Sequence, residues 1–335
     1  MIDPHLSFFE EAFSLWKNGN LAKMAGVGAH SGSGHPMSST LSGSLPVIPT
    51  PFYANKIDFD SLSRLFEHLF PDLDGYTICG STGESVSLST EERLELMRFA
   101  ARNTPPGKRI VVGLTHTSSA EVIKLARAAE ELGLHAGLLP CPYYFPNTFE
   151  MVRNFFREID AVTGLPLVFY DNPVYTKTWL TVGQILEIAD ACNHFAGVKL
   201  TDHALDKIGL IRESGVPVYA GDDITAFRSL LLGVDGSMII APAVLPGPYQ
   251  ETVRLLQAGN APASLQVFSH SILPFIHLFG PGDEVQVTKA LFCHIGLFRS
   301  DEVRPPLLRC LPERLNQVAM AYEICQAGAA VAERG

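Results

Sequence analysis

One lysine stands where a lysine is hard to explain. Lys199 ends the run Phe195-Ala196-Gly197-Val198-Lys199, an apolar stretch that reads as buried. Long cations are rarely placed in such a run without a partner or a task. Desolvation disfavours the ammonium form and frees the amine as a nucleophile, which is what imine formation with a ketone requires. The competing reading is a buried ion pair, with Asp222 or Asp223 as the partner. Two further features bear on that choice. Gly80-Ser81-Thr82-Gly83-Glu84-Ser85 places two hydroxyls among glycines, so backbone N–H groups can approach a carboxylate closely. Tyr170 closes another apolar run and can relay protons between a substrate oxygen and water; its alternative is a core tyrosine with a satisfied hydroxyl. Together these are an anion cradle, a proton relay and an amine.

Such groups must be carried by rigid elements. From residue 43 the chain alternates short apolar runs with helical patterns. The eight runs are Gly43–Ile48, Gly75–Cys79, Arg109–Leu114, Ala136–Pro140, Leu167–Tyr170, Ala196–Leu200, Val216–Ala220 and Gly236–Ile240. Helical periodicity covers Thr90–Asn103, Ser118–Leu132 and Asn147–Val162, with Thr90 as the expected hydroxyl cap and Gly133 as a stop. Continuous apolar strands joined by helices indicate a parallel sheet covered on both faces, and eight units predict an α/β fold of the (β/α)8 barrel type. No G-x-G-x-x-G follows the first run, which argues against a dinucleotide fold. The tail predicts helices at Tyr249–Ala258, Ala263–Phe279, Asp283–Phe298 and Pro312–Cys325. The expected divisions are an extension at 1–42, a barrel at 43–260 and a C-terminal helical layer at 261–335. The Gly/Ser/His-rich stretch before residue 44 reads as a flexible linker.

Composition narrows the partners. A chain of 335 residues with 47% hydrophobic and 18% charged residues builds a buried core, and a net charge of −10 opposes nucleic acid. The six cysteines show no C-x-x-C spacing, so reduced buried thiols are expected rather than zinc. His30 and His35 read as solvated, and no metal site is expected. There is no stretch of about 20 apolar residues and no basic signal start, so a cytoplasmic location without membrane partners is expected.

At Gly80-Ser81-Thr82-Gly83-Glu84, Tyr170-Asp171-Asn172-Pro173, Gly197-Val198-Lys199 and Gly221-Asp222-Asp223, the chain resembles the dihydrodipicolinate synthase / N-acetylneuraminate lyase family. The resemblance spans residues 43 to about 325. It implies a barrel with C-terminal helices, a homotetramer built as a dimer of dimers, and a Schiff base between Lys199 and pyruvate or a pyruvate-derived 2-oxo acid. No separate cofactor is implied. Ser81 and Thr82 would hold the substrate carboxylate, Tyr170 would act as general acid/base, and Tyr144 would reach a neighbouring subunit's proton relay. The chain also departs from the pattern. Tyr175 stands where the synthases carry an arginine that clamps the carboxylate of their aldehyde substrate. A phenol cannot replace a bidentate guanidinium, and losing charged hydrogen bonds of about 1.5–3 kcal/mol each weakens such a substrate by roughly one to two orders of magnitude. Lys177 lies two residues too far for a simple replacement. His203 replaces a small residue, and Ser81 replaces a threonine. The expectation is a Schiff-base lyase (aldolase, dehydratase or deaminase) whose choice of reaction depends on Tyr175, Lys177, His203 and Ile240. The alternatives are 4-hydroxy-tetrahydrodipicolinate synthase and a non-catalytic binder of 2-oxo acids.

Overall fold

The chain begins its first strand beside its last, and this closes the sheet on itself. The computed structural model describes residues 41–280 and 282–332; the expected extension lies outside them as far as residue 40. The described residues fall within one unit, Ser38–Gly335. Strand β1 is short, Gly43–Ser44, although backbone bonds continue beyond it, from Leu45 N–H to the Ser237 carbonyl at 2.8 Å and from Val47 N–H to that of Ile239 at 3.0 Å. Its backbone pairs with the eighth barrel strand through Gly43 and Ser44, and then passes to the second. Ile48 donates to the Thr77 carbonyl at 3.0 Å and Thr77 donates back to Pro46 at 2.7 Å. A small hairpin of β2 (Phe52–Tyr53) and β3 (Lys56–Ile57) follows, then helix α1 (Phe59–Leu69).

The alternation then continues as the periodicity predicts: β4 (Gly75–Ile78), α2 (Thr90–Asn103), β5 (Arg109–Gly113), α3 (Ser119–Glu131), β6 (Ala136–Pro140) and α4 (Phe149–Asp160). Next come β7 (Leu167–Asp171), the short α5 (Pro173–Thr176), α6 (Val182–Ala191), β8 (Phe195–Leu200), α7 (Asp206–Glu213), β9 (Val218–Ala220), α8 (Ala226–Leu231) and β10 (Gly236–Ser237). Eight parallel strands form the sheet in the order β1-β10-β9-β8-β7-β6-β5-β4. This is the expected barrel, with its functional face at the C-terminal strand ends.

Helices hold the strands by their apolar faces. On α4, Val152, Phe156 and Ile159 are buried, and the Phe156 ring meets Phe169 of β7 edge-on at 5.2 Å. Burying one such phenylalanine contributes about 1.5–3 kcal/mol and fixes the strand that ends in Tyr170. The cap of α2 differs from expectation. Ser89, not Thr90, is the N-cap and forms a capping box with Glu92, while the Thr90 hydroxyl donates to Glu121 at 2.6 Å. The one-residue offset places both hydroxyl and acid where the first orphan N–H groups need them.

Short helices α9 (Ala241–Val244) and α10 (Pro246–Gln257) complete the barrel wall. The C-terminal part comprises α11 (Ala261–Ser271), α12 (Leu273–Ile276), α13 (Glu284–His294) and α14 (Pro312–Ala332). The single helix expected over Ala263–Phe279 is broken at Ile272, where φ and ψ are −128° and −48°. Pro274 has no N–H to return to the preceding turn, so the helix restarts. All six cysteines are free, and no described helix is long and apolar enough to cross a membrane.

Candidate active site

Lys199 reaches its position through a local irregularity. The β7–β8 register shifts between Leu167 and Val168, and Gly197 takes a φ of +131°. A Cβ there would fall 2.7 Å from the Pro217 carbonyl oxygen and 2.8 Å from the Tyr219 ring, so only glycine fits the bulge. Past it, Lys199 pairs in register with Tyr170. Its side chain is 3% exposed, and the amine lies 4.2 Å from the centre of the Tyr170 ring.

The ion-pair reading of Lys199 finds no support among the described residues, where Lys199 has no salt bridge. The nearby cation that pairs is Lys207, which holds Asp171 at 3.1 Å and Asp202 at 2.6 Å. Asp222 turns to Thr225, accepting its N–H at 2.9 Å, and lies 3.4 Å from His203. Asp223 is spent on backbone, accepting from Ile240 at 3.0 Å and Ala241 at 2.7 Å. These bonds take up the N–H groups of Ile240 and Ala241 where α9 starts; β10 itself is shorter than the expected run to Ile240, though Met238 still donates to Ala220 at 2.8 Å and Ile239 still accepts from Val47 at 3.0 Å. Burial pushes the Asp223 carboxyl up to about 7 against the opposing pull of those N–H groups.

Around Tyr170 the polar groups converge. Asn172 donates to its hydroxyl at 3.0 Å, and the Ser81 and Thr201 side chains lie close enough to favour its ionised form. Burial pushes the phenol up, but the Lys199 charge and the polar side chains of Ser81, Asn172 and Thr201 outweigh it and bring it below an ordinary tyrosine. Thr82 is buried beside Ser81 in the turn after β4. Both lie on the wall of one cavity of about 680 Å3, which also takes in Tyr170, Lys199, Ile240, Tyr175 and His203. Tyr144 and Lys177 do not line it. Tyr144 is 85% exposed at a φ of +84°, stacked edge-on to Phe145. Tyr143, its neighbour, does line the cavity.

Reading by sequence overlooked what supports the hydroxyl turn. Glu84 sits in the left-handed region at φ 55° and is 2% exposed. It forms a buried ion pair with Lys289 of α13 and accepts the Arg304 N–H at 2.8 Å. Lys289 donates also to the Glu302 carbonyl at 2.8 Å, and Arg304 clasps Glu92 at 2.5 Å. The C-terminal part therefore grips the turn that carries Ser81 and Thr82. The signal was present: Lys289 interrupts the apolar run Val287–Phe292 as Lys199 interrupts its own.

A family model described as "Dihydrodipicolinate synthetase family" matches residues 40–324. The chain belongs to that family. It is accordingly a lyase, as its motifs imply. The 4-hydroxy-tetrahydrodipicolinate synthase of Desulforudis audaxviator is 31% identical over 270 residues, covering 79% of this chain and 90% of the relative. That of Aquifex aeolicus is 25% identical over 280 residues, covering 82% and 95%. The solved 4-hydroxy-tetrahydrodipicolinate synthase of Methylacidiphilum fumariolicum SolV superposes with a TM-score of 0.83 at 27% identity, covering 88% of this chain and 99% of that one. A sialic acid aldolase of Ruminococcus gnavus shares the fold, with a TM-score of 0.81 at 18% identity and coverage of 86% and 97%.

Proposed function

We propose that this protein is a Schiff-base lyase that acts on pyruvate or a pyruvate-derived 2-oxo acid, with Lys199 as the nucleophile. The observation that carries this reading is a buried lysine that has no carboxylate partner among the described residues, set against a phenol whose hydroxyl accepts from Asn172. The Lys199 amine adds to the C2 carbonyl of the 2-oxo acid. Tyr170 supplies the proton that lets the carbinolamine lose water, and an iminium remains. Ser81 and Thr82 hold the C1 carboxylate. Loss of a C3 proton, or cleavage of the C3–C4 bond as the C4 hydroxyl gives up its proton and the C4 fragment leaves as an aldehyde, yields an enamine. The enamine then takes a proton or adds an aldehyde at C3, or expels a C4 hydroxyl as water, and so restores an imine. Water finally hydrolyses the imine and returns the free amine. The imine is the electron sink, so this cycle uses no separate cofactor.

The proposal extends to assembly and setting. Tyr144, exposed on a strained loop and away from its own cavity, serves the proton relay of a neighbouring copy in a homotetramer. The compartment is the cytoplasm, in keeping with six free cysteines.

The 4-hydroxy-tetrahydrodipicolinate synthase reading is favoured by the names of the relatives. Against it stands Tyr175, a phenol pushed up to about 12 by burial and by the nearby Glu284 and Tyr170, on the wall where that synthase reading needs a cation. Condensation of pyruvate with aspartate semialdehyde at ordinary enzyme rates would reinstate it. The Schiff base itself is tested by borohydride reduction in the presence of pyruvate, followed by mass analysis. An adduct on the Lys199 peptide is expected, and its absence at saturating pyruvate leaves a non-catalytic binder.

A further inference from the structure

The cavity is chemically divided. Its floor holds Lys199, the only lysine or arginine among the described residues that line it. Its outer wall holds Tyr175, His203, Asp222 and Glu284. Glu284 opens α13 and is half-buried, close enough to Tyr175 to disfavour ionisation of the phenol. The cations that follow it among the described residues are engaged elsewhere: Lys289 pairs with Glu84, Arg299 lies over the Tyr53 ring, Arg304 pairs with Glu92, Arg309 with Asp301 and Arg314 with Asp283. Among the described residues Asp222 is met by the edge of His203 at 3.4 Å and by Thr225, whose N–H is at 2.9 Å and hydroxyl at 3.1 Å. The outer wall thus presents hydrogen-bond acceptors and negative charge, with phenol and hydroxyl groups between them.

We infer that the outer half of the cavity takes a hydroxyl-bearing group without negative charge, and that Glu284 is the specificity-determining residue that turns a carboxylate away. The inference rests on the Schiff-base reading and names the part of the substrate beyond the 2-oxo acid head. A carboxylate placed there gives up its water and meets like charge without a compensating donor. A hydroxyl donates to Glu284 or Asp222 and accepts from Tyr175, which keeps every buried polar group paired. The substrate class is therefore a polyhydroxylated 2-oxo acid, with one carboxylate at the head and none at the tail.

The test compares two five-carbon ligands that share a head: 4,5-dihydroxy-2-oxopentanoate and 2-oxoglutarate. Calorimetric titration of the full chain gives the ratio of their affinities, and it does so whether or not an imine forms. Borohydride trapping with pyruvate is run in parallel and judges the Schiff-base reading separately. The dihydroxy compound is expected to bind about tenfold or more tightly than 2-oxoglutarate. Glu284→Gln is expected to narrow that ratio, and Glu284→Lys to reverse it. Equal or tighter binding of 2-oxoglutarate by the wild type overturns the inference. So does a ratio that neither substitution moves.

Discussion

Lys199 on β8 and Lys289 on α13 are both buried, at 3% and 0% exposure, and both interrupt apolar runs. Their surroundings differ in one respect. Lys289 has Glu84 and the Glu302 carbonyl on its amine and the Phe52 ring at 4.2 Å. Lys199 has only the Tyr170 ring among these kinds of partner, and its amine lies open to a cavity. Burial pushes the Lys289 ammonium down to about 8, although Glu84 and Glu302 pull the other way. Burial alone therefore does not make a nucleophile. What separates the two is whether an acceptor already occupies the amine and whether a substrate can reach it. One lysine holds the cradle; in the proposed mechanism the other attacks what lies in it.

The sharpest attempt to break this contrast is Lys199→Ala. Turnover is expected to fall by roughly a thousandfold or more, with no trapped adduct on the peptide containing residue 199. An adduct moved to Lys289 would dissolve the distinction. Tyr170→Phe removes the proton donor and keeps the ring under the amine. Its kcat is expected to fall by about a hundredfold to ten-thousandfold, with little change in KM, in steady-state assays.

Lys289→Met probes the other side of the comparison. Leaving Glu84 buried without its cation is expected to cost about 3–5 kcal/mol in urea unfolding, and the double variant Glu84→Gln, Lys289→Met is expected to recover much of it. A stable single variant would show that the latch is dispensable. Asp223 yields a subtler effect. Its folded value near 7 lies above the ordinary 3.8, so its contribution to stability is full below about pH 4 and is lost as pH rises toward 7. Thermal unfolding across that window should show the decline in the wild type and a flatter profile in Asp223→Asn. The smallest change expected is from Tyr175→Phe, a severalfold rise in KM of the full substrate, since only one neutral hydrogen bond is removed.

Much of this was legible before any coordinates. Strand 136–140 and helix 90–103 coincide with their expected spans, because period and length speak clearly there. The regular parts of β1 and β10 fall short of their expected runs, though single backbone bonds continue the pairing to Val47 and Ile239, and the Asp223 side chain takes the N–H groups of Ile240 and Ala241 beyond. Site residues on strand ends were readable because a barrel displays them on one face. For Glu284 and Lys289 of the C-terminal part the partners were not readable, although the charge of Lys289 in its apolar run was visible. Their distance in sequence from the turn and wall they serve hides the contact.

The sequence by itself determined the parallel barrel, the family and the oddity of Lys199, because periodicity, motif order and a charge in an apolar run are all local properties. Only the tertiary structure decided which lysine is paired. That choice depends on Lys207 collecting Asp171 and Asp202, on Asp223 turning to the α9 backbone, and on Glu84 meeting a helix that begins 200 residues later in the chain. Coulombic and hydrogen-bonding partners are set by distance in space, and the fold alone supplies that distance.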